Sequence, residues 1–325
     1  MATITGHSEL DSEPLGDAAS TGRLADRLFQ GASAGAGAIV VGLITAVAGF
    51  LLVTAAPSLA KNGANFLTDR VWDIGGAIPK FGIPDLLWVT AISSLFAMVL
   101  ALPVAIGVAL FLTEYAPKRL SRLFASLIDL LAAVPSIVYG LWGATILLPY
   151  VKPVQDFLGS TLGWIPLFDN ESGVGGTIFL ATVVLAIMIL PIITAISREV
   201  FAQTPTTHKE GALALGATRW EMIRTAVLPF GAPGVISGAM LGLGRALGET
   251  IAVTLIMSTV PGAFSWSLFS GGETFASRIA NNAQEFDTPT KAGAFVAAGL
   301  VLFILTFVVN AIARLVIERR KAFTE

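Results

Sequence analysis

Apolar residues fall in long blocks along this chain, separated by short polar stretches, and the blocks exceed what a core helix of a water-soluble domain requires. A helix needs about 20 residues to cross the hydrocarbon of a bilayer. Blocks of that length lie at about 34–56, 86–113, 123–150, 175–197, 233–260 and 292–317, and predict six membrane-spanning helices. Ahead of them, residues 1–33 carry Glu9, Asp11, Glu13 and Asp17 among glycines and serines and read as a flexible tail. Residues 318–325 form a second, short tail. The first apolar block starts too late for an ordinary signal peptide. It is read as a retained span, although Ser58-Leu59-Ala60 resembles a cleavage site. The fold class expected is an all-α polytopic membrane protein.

Composition supports that pattern: 54% of residues are hydrophobic and 13% charged, where soluble domains carry about 25% charged residues. The net charge of -2 offers no concentrated basic surface, so no nucleic-acid partner is expected. There is no cysteine, and His7 and His208 lie far apart in polar stretches, which argues against disulfides, a thiolate nucleophile or a metal centre. No Gly-Lys dipeptide occurs, so the chain lacks a Walker A loop and is expected to bind no nucleotide by that route. No catalytic residue is expected either.

The basic residues are distributed unevenly. Arg23, Arg27, Lys118, Arg119, Arg122, Arg198, Lys209, Arg219, Arg224, Arg314, Arg319, Arg320 and Lys321 flank the spans on one side. Lys61, Arg70, Lys80, Lys152, Arg278 and Lys291 flank them on the other. The richer side is expected to be cytoplasmic, which places both termini there. Pro103, Pro135 and Pro191 fall well inside predicted spans. Each either marks a broken helix beside a protein-lined or wet interior or reflects the higher proline frequency of membrane helices.

The longest connection on the basic side, residues 198–230, has a clear helical pattern. "TPTTHKE" at 204–210 offers Thr and Pro as a helix start, an Ala- and Leu-rich helix follows to about Leu215, and Gly216 can turn the chain into a second helix through Trp220, Ile223 and Val227. Such a segment can lie in the headgroup layer. It can equally present Ala212, Leu213, Leu215 and Trp220 to a groove on a soluble partner.

The same stretch resembles the EAA loop of ABC importer permeases: Glu, Ala, Ala, three residues, Gly, nine residues, Ile, any residue, Leu, Pro. The matching positions are Glu210, Gly211, Ala212, Gly216, Ala226, Leu228 and Pro229, with Gly211 and Ala226 as the two departures. Further stretches, "LLAAVPSIVYGLWG" at 130–143, "LAIMILPIITAISREVFAQTP" at 185–205, "MLGLGRALGETIAVT" at 240–254 and "ASRIAN" at 276–281, are similar to phosphate importer permeases of the PstC family. The resemblance covers most of residues 86–317. It implies a type I ABC importer permease fold in the bacterial plasma (inner) membrane. It also implies a coupling loop over about 204–229, whose Glu210, Gly211, Ala212, Gly216, Leu228 and Pro229 meet a cytoplasmic ATPase. The partners it implies are a second permease (PstA-like), an ATPase dimer (PstB-like), an extracytoplasmic phosphate-binding protein (PstS-like), inorganic phosphate and membrane lipid. The chain itself would hold no cofactor, ATP-Mg being used by the partner ATPase.

One span carries opposite charges four positions apart, Arg245 and Glu249. On a continuous helix they share a face with Gly238, Gly242 and Ala252, small residues that direct the charges toward protein or a cavity. Each charge at midbilayer costs about 2.5–3.5 kcal/mol. A guanidinium suits phosphate oxygens as a planar fork of donors, so Arg245 is expected to meet the permeating anion. An intrahelical ion pair that fixes packing is the other reading. Glu249 would either hold Arg245 in place or accept a hydrogen bond from a protonated phosphate oxygen. A proton-coupled secondary anion transporter, or an importer for sulfate or molybdate, remains the alternative function. The outer loop 270–286 would be a contact for the binding protein or a solvated connection.

Overall fold

A computed structural model describes residues 21–169, 175–258 and 264–321. Residues 1–20 of the expected tail 1–33 and 322–325 of the expected tail 318–325 lie outside the described residues, as does the end of the apolar block at 259–260, whereas 21–33 and 318–321 are helical, as parts of the long helices Thr21–Ala60 and Pro289–Lys321. The helices are α1 Thr21–Ala60, α2 Pro84–Leu110, α3 Lys118–Ala132, α4 Ser136–Trp142, α5 Leu148–Leu162 and α6 Ile178–Ala202. They continue with α7 Thr206–Ala214, α8 Arg219–Met222, α9 Leu228–Leu247, α10 Ile251–Ile256, α11 Phe275–Asn281 and α12 Pro289–Lys321. Wide π-helical turns at Phe111–Tyr115, Gly143–Leu147 and Ile223–Val227 extend or join α2, α4 with α5, and α8 with α9. Two short antiparallel strands, β1 Trp72–Asp73 and β2 Lys80–Phe81, pair Trp72 with Phe81.

Among the described residues six helical stretches are long and apolar enough to cross a membrane: Asp26–Ala60, Pro84–Tyr115, Ser136–Leu162, Ile178–Ala202, Arg219–Leu247 and Pro289–Leu315. Two of them differ from the pattern read along the chain. The third starts at Ser136, because Pro135, extended at ψ 139, separates it from α3. α3 is a distinct amphipathic helix with Lys118, Arg119 and Arg122 in its opening turns. The fifth begins at Arg219 and stops at Leu247, so the expected helix 233–260 is broken at Gly248–Thr250 before α10.

By contacts the chain divides into two units, Met1–Phe50 and Leu51–Glu325. In the first, α1 is helical from Thr21 and leaves apolar side chains such as Ile39, Val41 and Leu43 exposed. In the second, α6 is the central helix. Its Leu180, Val184, Leu185, Ile189 and Ile193 are buried with Ala97 and Ala101 of α2 and Ala239 and Ala246 of α9. Small residues set the approach of α9 to α6. A Cβ added at Gly234 would sit 2.3 Å from a methyl carbon of Val200, so only glycine permits this distance. The result is a tight α2–α6–α9 layer on which the functional segments are mounted.

Candidate functional site

The residues singled out by sequence lie toward two ends of one helical run, Arg219–Leu247. At 1.5 Å per residue, Pro229 and Arg245 are separated by about 24 Å along it. They form two sites joined by a rod.

At the first end, α7 closes at Leu215 and Gly216 adopts φ 85. Glycine reaches that region without steric cost, and a side chain there would meet nothing within 4 Å, so the requirement is one of backbone conformation alone. Thr218 then opens α8 with a reciprocal cap. Its N–H donates to Glu221 Oε2 at 2.7 Å and its Oγ1 accepts from the Glu221 N–H at 3.3 Å. Two short helices thus meet at a glycine corner, as the pattern predicts. Glu210 and Gly211 are exposed on α7, Leu215 at the corner is 91% exposed, and Leu213 and Trp220 project beside it. Leu228 is half-buried and Pro229 exposed in the first turn of α9. Ala212 departs from its expected place among the exposed knobs. It turns inward against the cluster of Ala109, Leu110, Phe201, Met222, Ile223, Val227 and Val235, because its small side chain lies on the face of α7 that seats on the membrane helices.

One contact at this end was not readable from sequence. Lys209 Nζ donates to Glu114 Oε1 at 2.6 Å, and both side chains are largely sequestered, 19% and 8% exposed. Glu114 lies in the π-helical turn after α2, 95 positions away, so no local signal links the two. The Thr218–Glu221 cap did have a signal, the Thr-x-x-Glu spacing.

At the second end, Arg245 is half-buried in the last turn of α9 and borders a cavity of about 420 Å3 lined by Ile192, Met240, Leu241, Gly244, Arg245 and Asn310. Arg245 and Asn310 are the polar side chains of an otherwise apolar wall. Glu249 does not hold Arg245. Among the described residues no ion pair within 4.0 Å joins them. The i, i+4 relation requires a continuous helix, and the helix ends at Gly248. Glu249 is buried at 8% exposure, and its Oε1 accepts from the Ala252 N–H at 3.2 Å, at the start of α10. Breaking a helix in an apolar interior strands backbone N–H groups, and a carboxylate at the new N-terminus satisfies one and suits the dipole. Among the described residues Arg245 makes no ion pair, and it borders the cavity.

Within the expected outer loop, Thr274 caps α11 through Ser277, and Glu273 pairs with Arg278. Among the described residues no group of three or more His, Cys, Asp or Glu is placed to hold a metal ion.

Residues 101–322 match the family described as binding-protein-dependent transport system inner membrane component. The chain is 54% identical over 296 residues to phosphate transport system permease protein PstC 2 of Mycobacterium tuberculosis, covering 90% of this chain and 91% of that protein. It is 55% identical to phosphate transport system permease protein PstC of Mycobacterium leprae, covering 90% and 93%. Its fold is similar to that of a permease chain in the crystal structure of a bacterial ABC transporter involved in the import of the acidic polysaccharide alginate, with a TM-score of 0.52 and 17% identity over 72% of this chain and 78% of that one. Six apolar spans, a helical corner carrying the EAA pattern and these likenesses together establish that the chain belongs to the inner membrane components of binding-protein-dependent transport systems, as a multi-pass permease subunit of the PstC family.

Proposed function

We propose that this chain forms half of the pathway through which an ATP-driven importer carries inorganic phosphate, and that Arg245 is the group it offers to the anion. The observation that supports this best is the helical run Arg219–Leu247, which starts beside the exposed corner at Gly216 and ends at the cavity bordered by Arg245. A displacement of the corner is carried along that rod to the cavity wall. The corner faces the cytoplasm with both termini, and Glu210, Gly211, Leu213 and Leu215 present themselves to a PstB-like ATPase dimer that uses ATP-Mg. A PstA-like permease supplies the other half of the pathway, and a PstS-like protein delivers phosphate from outside.

The chemistry of the cavity suits passage. Arg245 offers a planar fork of donors to phosphate oxygens. One guanidinium does not neutralise a phosphate dianion, so the second permease contributes another cation. Moderate attraction in an otherwise apolar wall allows release as well as entry. Glu249, occupied in capping α10, shapes the break that exposes Arg245.

The test is purification of the assembled complex from membranes, identification of its chains by mass, and reconstitution with the binding protein. A nucleotide-binding chain, a second permease and ATP-dependent phosphate uptake are the expected results. Phosphate uptake by the purified chain alone, driven by a pH gradient, would overturn the reading. Uptake of sulfate or molybdate in place of phosphate would overturn its substrate.

A further inference from the structure

α7 is anchored sparsely. None of its residues is buried, and of the nine only Lys209 and Ala212 turn inward. Its motion can reach the membrane helices by two routes. One is covalent, through Gly216 and α8 into α9. The other is lateral, through Ala212 against the cluster under the corner and through the Lys209–Glu114 contact at 2.6 Å. Glu114 sits in the turn Phe111–Tyr115 that continues α2, and α2 lies along α6 and α9 in the central layer.

We infer that the Lys209–Glu114 pair is a latch that makes α2 move with α7, so that the coupling helix drives two membrane helices, α9 through the chain and α2 through an ion pair. The inference rests on the proposed docking of α7 to an ATPase. Its physical basis is the sequestration of both charges. The pair is partly buried and held at 2.6 Å; the further charges are withdrawn from water, the more the removal of one partner strands the other, so the pair resists being pulled apart when α7 is displaced. A small apolar contact such as Ala212 has little area with which to transmit a pull. The π-helical turn bearing Glu114 also widens the helix where the carboxylate must point back toward α7, and such turns recur at functional positions. Lys209 and Glu114 are positioning residues and touch neither anion nor nucleotide.

The experiment uses the complete reconstituted transporter with its binding protein, read as phosphate moved per ATP hydrolysed. Lys209→Glu and Glu114→Lys are made singly and together. Because the chain has no cysteine, Lys209→Cys with Glu114→Cys allows the same two positions to be bridged by a short bifunctional thiol reagent. Each single reversal should lower the ratio by about tenfold or more, the stranded charge parting α7 from α2. The double reversal should recover most of it, and the bridged pair should keep a ratio near the parent's. An unchanged ratio in assembled single reversals, no recovery in the assembled double reversal, or a bridged complex that hydrolyses ATP without moving phosphate would each overturn the latch. Where a reversal fails to assemble, the uncharged thiol pair decides. If the parent complex moves no phosphate, the proposed function fails instead. The latch is then judged by whether bridging spares binding-protein-stimulated ATP hydrolysis, which supports it, or stops it, which overturns it.

Discussion

Two acid–base pairs lie along the proposed route, and sequence distance predicts the wrong one to be closed. Lys209 and Glu114 are 95 positions apart and in contact. Arg245 and Glu249 are four apart and unpaired, because the helix that would align them stops at Gly248. The difference matches the proposed uses. Where a charge must bind another part of the chain, its partner is brought to 2.6 Å and both are sequestered. Where a charge must be available to a passing anion, the nearby acid is occupied with the Ala252 N–H and the base borders a cavity. An Arg245–Glu249 pair closed on itself would cancel the positive charge that the proposed route offers to the anion.

The strongest way to break this comparison is to remove the open charge. Arg245→Gln keeps hydrogen-bond donors but loses the positive charge and the fork. Losing charge-assisted hydrogen bonds of about 1.5–3 kcal/mol corresponds to roughly a 10- to 150-fold fall in phosphate uptake. Assembly with the second permease and the ATPase should be unchanged, since Arg245 makes no ion pair among the described residues. Radiolabelled phosphate uptake into proteoliposomes, beside subunit co-purification, measures both. Full uptake would mean that the open charge is not on the route.

The local features of the molecule were legible and the distant ones were not. The glycine corner could be read because helix start, helix stop and the left-handed glycine all lie within a dozen residues of one another. The spans could be read because bilayer thickness sets their length. The break at Gly248–Thr250 was hidden: "RALGETIAVT" continues an apolar helical pattern, and glycine is common enough in membrane helices to mark no end. Pro135 lies inside a predicted span. Whether it breaks the helix depends on α3 lying apart as an amphipathic element, which is a matter of tertiary placement. The inward turn of Ala212 and the Lys209–Glu114 contact likewise depend on how α7 seats over α2, and neither leaves a local trace.

A smaller effect sharpens the contrast by disturbing one end without charge. Gly216→Ala adds a methyl that meets nothing within 4 Å, so its whole effect comes from holding a Cβ residue at φ 85. That strain is about 1 kcal/mol, and should weaken binding of the ATPase subunit by about fivefold. Measured by titration of the detergent-solubilised permeases with the ATPase, the loss should leave phosphate binding at the Arg245 cavity unaffected. A fall in anion binding would mean that the corner and the cavity are set by one shared conformation even without the ATPase.

The smallest expected effect bears on the acid of the open pair. Glu249→Gln removes the negative charge but keeps a carbonyl oxygen that can accept from the Ala252 N–H, now at 3.2 Å from the carboxylate. If Glu249 serves the break, the amide should serve nearly as well. The charge contributes only the favourable dipole interaction at the start of α10, about 0.3–1 kcal/mol. Phosphate uptake should then stay within about twofold to fivefold of the parent, with sulfate still excluded. The opposite result has a clear chemical meaning. A carboxylate near the path accepts a hydrogen bond from a protonated phosphate oxygen and repels fully ionised sulfate, whereas an amide does not discriminate in this way. Sulfate entering the Gln variant would therefore show that the acid set apart from Arg245 by the helix break acts on the anion directly, and that both members of the open pair face the route.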